Sequence, residues 1–221
     1  VLDRDTVIKR AADNLTRICN LSNAIEEVIS SKDHVLVGSA VYKALWGINK
    51  NIRHICTNYD FLVWDRPDVT KVMAAFTSVG LTPQGISSSY GGSALQITLA
   101  GELTVDVVYA PAMSWDCLNE FTIRTPLTHQ AVFFSEVSYR RGVSASLSLQ
   151  GPGIDDAMAG QFRINPTGDF KPSVQYPTVE SYAAAIAART GFKWLDSTPE
   201  KHKCRCDIVT LMGRGCKCGG I

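Results

Sequence analysis

No stretch of the 221-residue chain approaches the roughly 18 consecutive apolar residues that a membrane span requires. The first residues, Val1-Leu2-Asp3-Arg4-Asp5, lack the basic-then-apolar order of a secretory signal. The expectation is a protein with no membrane partner, in an intracellular, cytoplasmic setting. Charge of one sign is missing too: 22 Lys and Arg stand against 21 Asp and Glu, a formal net charge of +1. A nucleic-acid partner therefore has to be held by a local patch and not by bulk charge. Internal repeats and low-complexity tracts are absent, and there is no initiating Met, which points to a processed chain or a fragment of a larger protein. What is present is a 45% apolar, 19% charged composition, enough to bury a core in one domain with an appendage or in two small ones. The seven cysteines are odd in number, and four of them crowd into the last eighteen residues. That distribution favours reduced thiols and a metal over a disulfide framework.

Apolar residues at three- and four-residue steps (Val7, Ile8, Ala11, Leu15, Ile18, then Ile25, Val28, Ile29) predict two helices with a break at 20–22. The run 34–37 predicts a strand stopping at Gly38-Ser39, followed by a helix over 40–46 with Ser39 as its N-cap. Residues 47–57, carrying Lys50, Arg53 and His54, read as a loop. A second strand is expected over 59–64, and Asp65-Arg66-Pro67 opens a helix with Val69, Val72, Met73 and Phe76 on one face, stopped by Gly80. Beyond a Gly/Ser-rich stretch at 85–93, alternating Leu95/Ile97/Leu99 and Leu103/Val105/Val107 around Ala100-Gly101 predict a hairpin. A further hairpin is expected from 131–139 and 143–149 around Arg140-Arg141-Gly142, then a loop over 165–177. A final helix is expected over 179–189, capped by Thr178 and stopped by Gly191. The plan is mixed α/β, with helices expected to cover a sheet.

Chemistry concentrates at three places on that plan. Gly38-Ser39 ends one strand, Asn58 and Asp60 lie two apart on the next, and Asp106 lies on a later one. Residues two apart in a strand share a face, so Asn58 and Asp60 point the same way, and an adjacent strand would bring Asp106 beside them. Converging oxygen ligands of this kind suit hard Mg²⁺ or Mn²⁺ ions, which when held ~4 Å apart steady the attacking and leaving oxygens of phosphoryl transfer. A Gly-Ser turn at a helix start offers backbone N–H groups and a hydroxyl to phosphates.

On these residues, over about 25–110, the chain resembles the nucleotidyltransferase superfamily of DNA polymerase beta-like fold. In that family Gly-Ser precedes an Asp-x-Asp strand and a third Asp follows. Val37-Gly38-Ser39-Ala40, Arg53 and Thr57-Asn58-Tyr59-Asp60-Phe61 resemble its minimal, antitoxin-associated branch. The resemblance implies an α/β (α+β) fold, a mixed sheet flanked by helices, with Gly38, Ser39 and Arg53 binding a nucleoside triphosphate. Asp60 and Asp106 would be the second and third carboxylates, with Asn58 standing where the family has the first. It implies transfer of a nucleoside monophosphate to an acceptor hydroxyl, on RNA or DNA. The amide at 58 supports an alternative: a catalytically degenerate fold serving as a nucleic-acid-binding or assembly protein. The domain plan is then 1–125 for this α/β domain, 126–198 for a hairpin and helical extension, and 199–221 for a tail.

That tail holds two Cys-x-Cys pairs, Cys204/Cys206 and Cys216/Cys218, separated by nine residues. Four thiolates at this spacing can complete a tetrahedral structural zinc site, with two disulfides or a free tail as the alternatives. Five cations there (Lys201, Lys203, Arg205, Arg214, Lys217) could bind phosphates or be an ordinary solvated surface. Cys19, Cys56 and Cys117 are expected to be inert.

Overall fold

In the computed structural model, residues 2–53, 56–89, 94–110, 118, 122 and 124–195 are described. The four C-terminal cysteines, Cys117 and His54 lie outside them. Helix α1 (Arg4–Leu15) starts at Asp3, whose carboxylate accepts from the Thr6 N–H at 2.9 Å. It passes through a 3₁₀ turn (Thr16–Ile18) into α2 (Cys19–Val28). The break therefore falls earlier than 20–22, at Thr16, whose hydroxyl folds back on the Asp13 carbonyl at 2.7 Å and competes with the helical ladder.

Strand β1 (His34–Val37) leads into α3 (Ser39–Lys50), then β2 (Asn58–Val63) and α4 (Val72–Ser78). Helix α3 overruns the predicted 40–46 by a full turn. Gly47 is buried inside it, and Asn51 in the left-handed conformation ends it. On α4, Val72, Ala75 and Phe76 are buried, whereas Met73, and Val69 in the 3₁₀ turn before it (Val69–Lys71), are exposed. Half of the Gly/Ser-rich stretch is itself a strand, β3 (Pro83–Ser89), paired antiparallel with β4 (Ala94–Leu99). β4 pairs antiparallel with β5 (Thr104–Tyr109) as the predicted hairpin.

The second predicted hairpin is replaced by another arrangement. Only β6 (Phe133–Phe134) and β7 (Leu149–Gln150) pair, and two short helices, α5 (Glu136–Arg140) and α6 (Ala145–Ser148), lie between them. Ser135 accepts from the Ser138 N–H to start α5, and Arg140 is tied to Asn23 and Glu26 of α2. Local capping and a docking ion pair thus outweigh the β-rich pattern of 131–139. After α7 (Ile154–Ala159), a two-stranded parallel pair forms from β8 (Gln161–Phe162) and β9 (Lys193–Trp194). Between them α8 (Val179–Thr190) matches its prediction, with a Thr178/Ser181 capping box and Gly191 in the left-handed conformation.

The seven strands lie in the order β3-β4-β5-β2-β1-β6-β7, with β2 and β5 parallel and their other neighbours antiparallel. Strand alternation gives the sheet two unlike faces. Leu36, Phe61, Val63, Val105 and Val107 join the helices in the main core. Among the described residues, the opposite parity, Val35, Leu62 and Phe133, packs a smaller cluster with Leu118. Asp60 and Asp106 share the parity of this second cluster.

Candidate active site

The site is assembled where β1 hands over to α3. Gly38, and not Ser39, is the N-cap, with φ +72° and ψ −149°, a conformation open in practice to glycine alone. A Cβ at this position would stand 2.5 Å from Asp60 Oδ2. The glycine thus provides both the turn and the close approach of the carboxylate. No side chain caps the first turn of α3, so its positive end is left facing the cleft. Ser39 is the first helical residue, with its hydroxyl 3.9 Å from the Cys56 sulfur.

Register does the rest. On the parallel pair β2/β5, Asp60 lies directly across from Asp106, and Asn58 across from Thr104. Asp106 is only 4% exposed and accepts from the Gln96 amide at 3.0 Å, Gln96 being its partner across β4/β5. Asn58 is engaged on both sides: its oxygen accepts from the Thr104 hydroxyl at 2.6 Å, and its amide donates to Asp60 Oδ1 at 3.2 Å. Oδ2 of both aspartates accepts no hydrogen bond among the described residues. Burial, then the neighbouring Asp106 charge, push the Asp60 carboxyl up to about 6 against the Asn58 hydrogen bond.

A cavity of about 1050 Å³ opens over Asp60, lined also by Gly38, Ser39 and Asn58, with Asp106 buried at Asp60's side on β5. Lys43, Lys171 and Arg189 give it positive charge. Tyr182 stands on its wall, held by the Gln130 amide at 2.8 Å and packed against Phe170 and Tyr176. Cys56 also lines it, but burial raises its thiol pKa and its sulfur donates to the Asn58 carbonyl at 2.8 Å, so it is no nucleophile.

The structure therefore brings Gly38, Ser39, Asn58, Asp60 and Asp106 together. Arg53 it places elsewhere, in a neighbouring hollow with Arg17. Sequence reasoning passed over Lys43, four residues after Ser39 on the same helix face, and Gln96, whose place in the alternation of β4 puts it on the Asp106 side. Lys171 and Arg189 carry no local signal, because only the tertiary fold brings them to the cleft.

The donor set can be tested against the divalent ions that such chemistry uses. Two carboxylates that, among the described residues, have unused oxygens and no cationic partner fit one hard cation, which would relieve their mutual repulsion. A second ion lacks its charge, since Asn58 is neutral, and among the described residues no group of three or more His, Cys, Asp or Glu is placed to hold a metal.

No family model matches the chain, and no curated protein does. Among solved structures it is similar to a Thermotoga maritima CCA-adding enzyme complexed with tRNA, at 16% identity and TM-score 0.51, covering 89% of this chain and 43% of that one. A CCA-adding enzyme in complex with ATP matches at 16% identity and TM-score 0.51 as well, covering 89% of this chain and 44% of that one. The chain thus spans less than half the length of the enzymes it matches. The likeness shows a nucleotidyltransferase-like fold.

Proposed function

We propose that the chain is a nucleotidyltransferase that takes a nucleoside triphosphate into the Gly38–Asp60 cleft and passes its nucleoside monophosphate to a hydroxyl on nucleic acid. The observation that carries this reading is the register of Asp60 against Asp106 on one face of the sheet, with Asp60 beside the uncapped start of α3. Phosphate oxygens suit the α3 N-terminus, with Lys43, Lys171 and Arg189 supplying opposite charge, and Tyr182 offers a face on which a base can stack. The acceptor oxygen forms its bond to the α-phosphorus while the bond to pyrophosphate breaks, and the acceptor's proton is released beside the carboxylate pair. Asp60 and Asp106 would hold a Mg²⁺ or Mn²⁺ ion, which supplies neutralisation of the charge building on the phosphoryl oxygens. Asn58 orients Asp60 and, through Thr104, ties β2 to β5 at that point. Extension of a labelled RNA oligonucleotide by radiolabelled triphosphates tests the reading, which requires that Asp106→Asn silence it.

One observation favours a second reading. The Asn58 amide turns an N–H toward Asp60, as suits a site that has given up a cation and keeps the fold for binding nucleic acid or for assembly. In either case we assign Cys204, Cys206, Cys216 and Cys218, on their spacing, to a structural zinc ion. Metal analysis of the full chain should return about one zinc per molecule. A value near zero after purification without chelators removes the assignment.

A further inference from the structure

Two hollows lie beyond the cleft, along α1, the 3₁₀ turn and α3. One, of about 330 Å³, is lined by Arg17, Lys43, Arg53 and Tyr59, and the other, of about 620 Å³, by Arg10, Arg53 and Ile52. They meet at Arg53 and Ile52, and the first meets the transfer cleft at Lys43 and Cys56, which line both. The three thus lie side by side, each sharing lining residues with the next. Neither hollow is lined by an Asp or Glu among the described residues, whereas four cations border them. None of these four is in an ion pair with a described residue; the ion pairs of the basic side chains are made by Arg4, Lys71, Arg140 and Arg163. Apolar side chains lie among the polar ones: Ile52 is 49% exposed, and Tyr59 lines the first hollow because it has the opposite parity to Asn58 and Asp60 on β2.

We propose that this trough is the track of the acceptor strand: single-stranded nucleic acid, its phosphates on Arg10, Arg17, Arg53 and Lys43 and its bases against Ile52 and Tyr59, led past Lys43 to the carboxylate pair. Four cations with no ion pair among the described residues, interspersed with Ile52 and Tyr59, match a strand that presents phosphates on one side and base faces on the other. It also explains why Arg53 stands outside the cleft. The proposal deepens the transfer reading and rests on it for the direction of the strand.

The test uses fluorescence anisotropy of a 5′-labelled single-stranded RNA 20-mer against the full chain, the exposed-residue variant Arg10→Glu/Arg17→Glu, and its milder form Arg10→Ala/Arg17→Ala. The expected result is binding that weakens about tenfold or more in the Glu pair and by less in the Ala pair. The slope of log affinity against log salt should be shallower by about two. Triphosphate affinity and melting temperature should be unchanged. RNA affinity equal in all three proteins, or no RNA binding by the native chain, overturns the trough. Native extension activity together with equal RNA affinities leaves the transfer reading standing and removes the trough. Loss of RNA binding in the variants of a chain that extends nothing keeps the trough and removes the transfer reading.

Discussion

Asp60→Asn is expected to cost on the order of 10³-fold in nucleotide incorporation while making the protein more stable in cation-free buffer above pH 6. The two effects have one origin. Burial and the Asp106 charge hold the Asp60 carboxyl at about 6, above its usual 3.8, so the native state grips that proton more tightly than the unfolded chain does. Stability contributed by the protonated form is complete below about pH 4 and is lost as pH rises through 6. A gap of roughly two units corresponds to about 3 kcal/mol, which the unfolded state does not suffer. Asparagine preserves the acceptor for the Asn58 amide and removes the charge, so the melting temperature at pH 7.5 should rise by several degrees, on the order of 6 °C. The gain should vanish near pH 4. An unchanged or lower melting temperature at pH 7.5, in the presence of a chelator, contradicts the electrostatic account of the pair. This is the stability given up by a site built to receive positive charge.

The second large effect comes from His129, which does not line the cleft. Its ring is fully buried, edge-on to Tyr42 at 4.7 Å, with Phe162 at 5.0 Å and Phe192 at 5.3 Å. Neither ring nitrogen has a hydrogen-bond partner among the described residues. Burial pushes its pKa down to about 3, so the folded protein keeps the imidazole neutral while the unfolded chain protonates it near 6.5. Its stabilising contribution is therefore complete above pH 6.5 and falls as pH drops toward 3. Between pH 7 and pH 5 that amounts to about 2 kcal/mol. Asp60 works in the opposite direction over the same range, so the clean comparison is made in the Asp60→Asn background. There, unfolding free energy measured by urea should decline from pH 7 to 5, and adding His129→Phe should remove about 2 kcal/mol of the decline. His34, also lowered by burial, would keep a residual slope of the same sign. An identical pH profile with and without His129 contradicts this.

Both effects start from residues whose legibility in the sequence differs. The carboxylate pair was readable because a strand has a strict period of two, so the spacing of Asn58 and Asp60 fixed a face before any coordinates. Only the parallel partner needed the structure, and it put Asp106 at the same level as Asp60. Cap preference ranks serine high and favours Ser39 as N-cap, whereas at this turn the backbone angle and the nearness of Asp60 leave room for glycine alone. The segment 131–149 misled for another reason. Its short apolar runs fit strand or helix equally, and the choice was made by Ser135 capping and the Arg140 contacts to α2, which lie more than 100 residues apart in the chain. The trough along α1 and α3 had no signature, because Arg10 and Arg17 reach Lys43 and Arg53 only through packing.

Asn58 decides between the working and the disarmed site, and one measurement addresses it most directly. Triphosphate incorporation into RNA, with Mg²⁺ and then Mn²⁺, is compared for the native chain, Asn58→Asp and Asp106→Asn. The account predicts incorporation by the native chain, about tenfold or more in Asn58→Asp as the third charge is restored, and none in Asp106→Asn. A folded native chain that incorporates nothing under either ion, or one that incorporates as well without Asp106 as with it, contradicts the claim that this carboxylate pair is a nucleotidyl-transfer centre.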